Sequence, residues 1–275
     1  MLEVRNLRIA LPDRSRKPIF GAAPLLEILK GIDLSVAPGE TIGLVGESGS
    51  GKSTLARALL RLYRPSAGRI VFEGQDITDL PESALRPLRA RMQIVFQDSQ
   101  SALNPRLTIG TALAEPFLSY GRAKDSREAL RLAAGLLEHV GLAPEMSVRY
   151  PHQLSGGQRQ RVGIARAIAL NPALVVADEI VSGLDVSVQA QILQLLQALR
   201  SETGMALVLI SHDLSVVRAL CEKVVVMQHG VIVESGLSAE VFAAPEHPYT
   251  RKLLRAIPLP EVDPAWIDTV DVDES

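Results

Sequence analysis

Residues 41–60 read Thr41-Ile-Gly-Leu-Val45, then Gly46-Glu-Ser-Gly-Ser-Gly-Lys-Ser53, then Thr54-Leu-Ala-Arg-Ala-Leu-Leu60. The apolar run predicts a buried strand, the glycines a tight loop, and the last segment a helix. Gly46, Gly51, Lys52 and Ser53 fill the glycine, glycine, lysine and hydroxyl positions of a phosphate-binding loop. The chemistry explains these residue types. Glycines let the backbone turn tightly and bring N–H groups onto β- and γ-phosphate oxygens at a helix N-terminus, whose dipole favours anions. Lys52 adds a point charge, and the Ser53 hydroxyl can ligate Mg²⁺. Glu47, Ser48, Gly49, Ser50 and Thr54 complete the cradle. The segment predicts an α/β protein that binds a nucleoside triphosphate together with Mg²⁺.

Working outward, the 275 residues suit one large α/β domain, or one domain with an insertion. A hydrophobic share of 47% with a formal net charge of −2 describes a globular chain without the basic footprint of a nucleic-acid binder. Apolar stretches such as Met205 to Ile210 and Leu174 to Ala177 are strand length and too short to span a bilayer. The first residues, Met-Leu-Glu-Val-Arg-Asn-Leu-Arg, lack the apolar centre of a secretory signal, which fits a cytoplasmic protein. Cys221 is the single cysteine and reads as a small buried hydrophobe.

Short strands are predicted at Leu2–Ile9, Ile32–Val36, Gly68–Phe72 and Met92–Phe96. From about 98 to 153 the periodicity turns helical, for example over Arg127–Val140. Strands Ala173–Ala177 and Ala206–Ile210 flank a helix around Val188–Glu202, and strands Lys223–Met227 and Val231–Glu234 flank a His229-Gly230 turn. This alternation predicts a mostly parallel sheet covered on both faces, with a helical insertion. Glu261 to Ser275 holds six acids and no base, which reads as a solvated tail.

Two further strings carry chemistry. Leu174-Val-Val-Ala-Asp178-Glu179 delivers two carboxylates at the C-terminal end of an apolar strand, where open α/β sheets bind ligands. Asp178 is placed to hold Mg²⁺, and Glu179 to orient or deprotonate the water attacking the γ-phosphate. Leu154-Ser155-Gly156-Gly157-Gln158 opens a helix running from Arg159 to Leu170, with Ser155 as N-cap and the glycines leaving N–H groups accessible. This second anion site lies 103 positions after Lys52. One triphosphate does not need both from one chain, so Ser155 and Gly157 are predicted to grip the γ-phosphate of ATP held in a partner's loop.

At this point the chain resembles the ABC-type ATPases, over nearly its whole length and in the family's own motif order. The resemblance implies a P-loop NTPase fold with a mostly parallel sheet core, an N-terminal antiparallel β subdomain and an inserted α-helical subdomain. The core would comprise about 1–97 and 154–236, the helical subdomain about 98–153, and a C-terminal extension about 237–275. It also implies that Gln97 is the glutamine contacting Mg²⁺ and the attacking water, that Asp185 crosses the dimer seam, and that His212 holds the γ-phosphate. Closer similarity, to ATPases of oligopeptide, dipeptide and nickel importers, rests on four strings. These are Val95-Phe-Gln-Asp-Ser-Gln-Ser-Ala-Leu-Asn-Pro105, Leu184-Asp-Val-Ser-Val-Gln-Ala-Gln191, Ser211-His-Asp-Leu-Ser-Val-Val217 and His247-Pro-Tyr-Thr250.

The implied assembly is a pair of ATPase subunits, identical or different, beneath two membrane permeases at the cytoplasmic face of the inner membrane. An extracytoplasmic solute-binding protein feeds the permeases. Each permease would insert a short coupling helix into a groove near Gln97. The resemblance therefore implies an ATP-hydrolysing motor of a peptide importer. A nickel or metal-chelate importer and a non-transport ATPase of a phosphonate-degrading assembly stand as alternatives. DNA-repair clamps insert long coiled coils between the two loops, and 103 positions leave no room for them. Three departures stand out. Ile9-Ala-Leu-Pro12 lacks the aromatic residue on which the family stacks adenine, leaving Phe20 as a substitute candidate. Ile180 replaces a common proline, and Ser182-Gly-Leu-Asp185 carries glycine where alanine is usual. Without a cysteine cluster, no iron–sulfur centre is expected.

Overall fold

The computed structural model describes residues 1–13, 21, 23–97 and 102–256. Its strands are β1 (Leu2–Pro12), β2 (Leu25–Val36), β3 (Thr41–Val45), β4 (Ala67–Phe72), β5 (Gln75–Asp76), β6 (Met92–Val95), β7 (Leu174–Asp178), β8 (Ala206–Ile210), β9 (Lys223–Gln228) and β10 (Val231–Leu237). Its α-helices are α1 (Lys52–Leu59), α2 (Glu82–Arg89), α3 (Ile109–Ser119), α4 (Ser126–His139), α5 (Gly156–Ile168), α6 (Val186–Thr203), α7 (Leu214–Leu220), α8 (Ser238–Ala243) and α9 (Pro248–Ala256). The chain divides into two compact units, one of residues 1–86 and 208–256, the other of residues 87–207.

In the first unit, an antiparallel sheet runs in the order β2-β1-β4-β5. β1 alternates between buried and exposed side chains along much of its length, the period-two pattern of a strand with one covered face. Its pairing with β2 shifts register between Val4 and Leu7, and Asn6 sits in the left-handed region at φ 46°. The second sheet of this unit has the order β10-β9-β3-β8. β3 is buried at all five positions, as expected of a strand covered on both faces, and it pairs in parallel with β9 from Ile42↔Lys223 to Val45↔Val226. β10 pairs antiparallel to β9 across His229 and Gly230, both at positive φ (49° and 83°), which suits a two-residue hairpin turn.

The second unit carries β6 and β7, parallel and in register from Met92↔Leu174 to Val95↔Ala177. Helices are started by side chains that satisfy otherwise unpaired N–H groups. Asp125 accepts from Glu128 N at 2.8 Å at the head of α4. α6 ends at Gly204, a left-handed C-cap whose N–H reaches the Arg200 carbonyl. No helix among the described residues is long and apolar enough to cross a membrane.

Candidate functional site

The phosphate-binding loop leaves β3 at Gly46, and only glycine fits there. Its φ is 149°, and a Cβ would lie 2.3 Å from the Met227 carbonyl oxygen. Gly51, at φ 105°, is the N-cap of α1 and offers no side-chain acceptor to the helix, so its first N–H groups present themselves to an anion. Lys52 is buried, 6% exposed, and its Nζ donates to the Gly46 carbonyl at 2.7 Å and the Glu47 carbonyl at 2.9 Å. Gly230 N–H donates to the Ser50 carbonyl at 3.0 Å, which ties the loop to the β9–β10 turn.

His212 belongs to the same unit. Ser211 N–H donates to the Leu44 carbonyl at 3.4 Å, so the exposed His212 follows β8 alongside β3. Asp213 then caps α7, accepting from Ser215 N at 2.9 Å. Gly46, Glu47, Ser48, Gly49, Ser50, Gly51, Lys52, Ser53, Thr54 and His212 thus all lie in the first unit.

The remaining predicted residues gather in the second unit. The paired register of β6 and β7 ends at Val95↔Ala177, so Gln97 follows the C-terminal end of β6, and Asp178 and Glu179 stand at and just past the C-terminal end of the neighbouring β7. Asp178 is 5% exposed. Glu179 is half-buried and takes φ 50°, a left-handed conformation that is uncommon for a residue with a Cβ and is enriched at functional sites. Its carbonyl accepts from Ser182 N at 3.1 Å, and Ile180, in the position of the family's usual proline, is buried at 1% exposure.

Ser155 and Gln158 form a reciprocal cap on α5. Ser155 Oγ accepts from Gln158 N at 3.3 Å, and Gln158 Oε1 accepts from Ser155 N at 3.0 Å. A hydroxyl that accepts from N–H still carries its own proton for a phosphate oxygen. The glycines have a second reason to be glycine. A Cβ on Gly156 would stand 3.2 Å from Leu184 Cδ2, and one on Gly157 would stand 2.5 Å from Val188 Cγ1. The head of α5 therefore packs on the segment around Asp185, whose exposed carboxylate makes no capping bond to α6. Sequence reasoning did not find this packing.

It also did not find two other features. A cavity of about 360 Å³ in the second unit is lined by Gln93, Phe96, Glu115, Tyr120, Gln160 and Arg166, among others. Gln160, 2% exposed, is among the lining residues, and its Nε2 amide has no hydrogen-bond partner among the described residues. The other feature is a contact from Tyr249 to the phosphate-binding loop, for which the string His247-Pro-Tyr-Thr250 was the only signal. Phe20, the residues 98–101 within the string after Gln97, and the acidic tail lie outside the described residues.

Each predicted metal ligand is an oxygen donor of the kind a hard cation takes: Ser53 in the first unit offers a hydroxyl, and in the second unit Asp178 offers a buried carboxylate and Gln97 an amide carbonyl. No group of three or more His, Cys, Asp or Glu among the described residues could cage a metal by itself.

Comparison with known proteins gives the same picture. The ABC transporter family profile matches residues 29–182. The chain is 53% identical over 242 residues to a probable peptide ABC transporter ATP-binding protein, y4tS, of Sinorhizobium fredii, covering 88% of this chain and 68% of that one. It is 49% identical over 260 residues to the glutathione import ATP-binding protein GsiA of Salmonella paratyphi A, covering 94% of this chain and 41% of that one. The chain thus spans about two fifths of the length of that relative. Among solved structures it resembles the ATP-binding cassette MJ0796 in a dimeric post-hydrolysis state bound to ADP and Pi. The TM-score there is 0.76 with 30% identity, over 86% of this chain and 99% of that one. A nucleotide loop built as found here, in a fold shared at that level, leaves one conclusion: this chain belongs to the ABC transporter ATP-binding family.

Proposed function

We propose that this chain is the ATP-hydrolysing motor subunit of an ABC importer for peptides, working as one of a pair of ATPases at the cytoplasmic face of the membrane. The observation that carries the reading is the 53% identity, across 88% of the chain, to a relative named as a peptide transporter's ATP-binding protein. The similarity to a glutathione import ATPase points to the same class of cargo.

In this reading the loop Gly46–Thr54 receives the phosphates of ATP. Two N–H donors of the Lys52 ammonium hold the Gly46 and Glu47 carbonyls, which aims the head of the side chain at the β- and γ-phosphate oxygens. Ser53, Asp178 and Gln97 would hold Mg²⁺ through their oxygens, and the ion would supply charge that offsets that of the phosphates. Glu179 accepts a proton from the attacking water and Gln97 orients that water. His212 donates to the γ-phosphate as charge shifts during bond cleavage.

Ser155, Gly156, Gly157 and Gln158 serve the γ-phosphate of ATP held by the partner subunit, and Asp185 faces that partner across the seam. ATP binds the closed pair better than the open pair, and this differential affinity is what does work on the permeases. The cavity beside Phe96 and Gln160 supports docking of a permease segment on the second unit. We assign about 1–97 and 154–236 to the nucleotide-binding core, about 98–153 to a helical subdomain and about 237–275 to a C-terminal extension.

The test is reconstitution with the permease pair and solute-binding protein that co-purify with the chain. Peptide-loaded binding protein is expected to raise ATP turnover several-fold over the unloaded form. Turnover that ignores peptides but responds to another solute class would overturn the peptide assignment.

A further inference from the structure

Helix α9 brings to the nucleotide loop a residue that none of the steps above uses. Tyr249 is 6% exposed, and its hydroxyl oxygen accepts the backbone N–H of Glu47 at 2.9 Å across 202 positions of sequence. The Glu47 carbonyl is equally engaged, accepting from Lys52 Nζ at 2.9 Å and from Ser50 N at 3.2 Å. Both backbone groups of one residue are therefore fixed, the N–H by α9 and the C=O by the loop itself. Tyr249 is braced in turn. Its own N–H donates to His247 Nδ1 at 3.1 Å, and the Glu234 carboxylate of β10 accepts from the N–H groups of Glu246 and His247 at 2.8 and 3.0 Å.

We infer that Tyr249 is a positioning residue for the nucleotide site: by accepting the Glu47 N–H it fixes the Gly46–Glu47 peptide plane, whose Gly46 carbonyl holds the Lys52 ammonium at 2.7 Å in the orientation that receives the phosphates of ATP. The inference rests on the proposed role of the loop in binding ATP. Its physical core is preorganisation. That peptide joins Gly46, a glycine at φ 149°, to Glu47, so an acceptor on its N–H removes conformations that would turn the Gly46 carbonyl away from Lys52. An ammonium already aimed need not be ordered when ATP arrives. The neighbouring Lys252–Glu47 ion pair, at 3.4 Å with side chains 73% and 54% exposed, contributes little by comparison because water screens it. The effect belongs to binding and not to bond cleavage, since Tyr249 acts only through Glu47 and Lys52.

The experiment compares full-length wild type, Tyr249→Phe and Lys252→Ala for MgATP dissociation constant, KM, kcat and thermal midpoint. Phenylalanine keeps the ring and deletes the acceptor. Loss of one such hydrogen bond is expected to raise Kd and KM about three- to tenfold. In Tyr249→Phe kcat should stay within about twofold of wild type and the thermal midpoint should move by only a few degrees, while Lys252→Ala should match wild type. A Kd for Tyr249→Phe indistinguishable from wild type, or a fall in kcat at unchanged KM, would overturn the inference. A wild-type chain that bound no ATP would overturn the reading of the loop first. If Tyr249→Phe did not fold, hydrogen exchange at the Glu47 amide of the wild-type chain decides the matter. Slow exchange, set by opening of α9, is expected, and exchange at the rate of an open loop contradicts it.

Discussion

Replacing Gly157 by alanine tests the packing that sets the head of α5. The new Cβ would lie 2.5 Å from Val188 Cγ1, about 1 Å inside the normal carbon–carbon contact of about 3.5–4.0 Å. Val188 cannot turn aside cheaply, because a β-branched residue within α6 is confined to one χ1 rotamer. Overpacking of this kind costs about 1–3 kcal/mol. Alanine also returns up to about 1 kcal/mol of helix propensity, leaving a net destabilisation on the order of 1 kcal/mol. For a chain of this size that lowers the thermal midpoint by about 2–4 °C. Val188→Ala removes the clashing methyl, so in that background Gly157→Ala should be neutral or slightly stabilising. The double-mutant cycle, read by thermal or urea unfolding, should therefore give a coupling of about 1–3 kcal/mol. A coupling within about 0.3 kcal/mol of zero would refute the packing of the α5 head on the segment around Asp185.

Two predictions concern charge. Lys52→Ala removes a charge-assisted contact to phosphate worth about 1.5–3 kcal/mol, so the Kd for ATP should rise roughly tenfold to 150-fold in calorimetry. The melting temperature should hold, because taking an ammonium out of the interior relieves a desolvation cost; affinity within about threefold of wild type would remove the lysine from its role. The Glu234 carboxyl is pushed up by burial, but the Thr250 hydroxyl beside it and the N–H groups of Glu246 and His247 together hold it below its ordinary value. A depressed carboxylate pKa stabilises the fold above the unfolded value of about 4.3, and that contribution is lost as pH falls through the folded pKa. Glu234→Gln should therefore melt below wild type at pH 7, with the gap closing below about pH 4; a gap constant across that range would contradict the sign.

How much of this was legible depends on how local the physics is. The phosphate-binding loop could be read directly, because its glycines, lysine and hydroxyl act within eight residues and sit between a buried strand and a helix. The Ser155–Gln158 cap is equally local, and β8 falls on the predicted Ala206–Ile210. The placement of Asp178 at the end of β7 follows from the apolar run before it.

Other features escaped for physical reasons. β2 starts at Leu25 and not at Ile32, because its first residues are mostly exposed and carry no alternation, and the pairing with β1 continues through register shifts. α2 contains Pro87, which reads as a breaker, yet the helix runs on to Arg89. That β6 and β7 end side by side, near Gln97 and Glu179, depends on the register of two strands separated by the helical segment. The Tyr249–Glu47 bond joins residues 202 positions apart, and no periodicity encodes such a meeting.

The central claim is that two chains share each ATP, the loop around Lys52 from one and the Ser155 cap from the other. The most direct measurement is the mass of the Glu179→Gln chain by light scattering, alone and co-expressed with its permease assembly, in MgATP and in MgADP. Binding without hydrolysis should hold the ATPase pair closed, giving a stable dimer of nucleotide-binding subunits in ATP and separation in ADP. Subunits that stay apart in saturating ATP under both conditions would contradict the account.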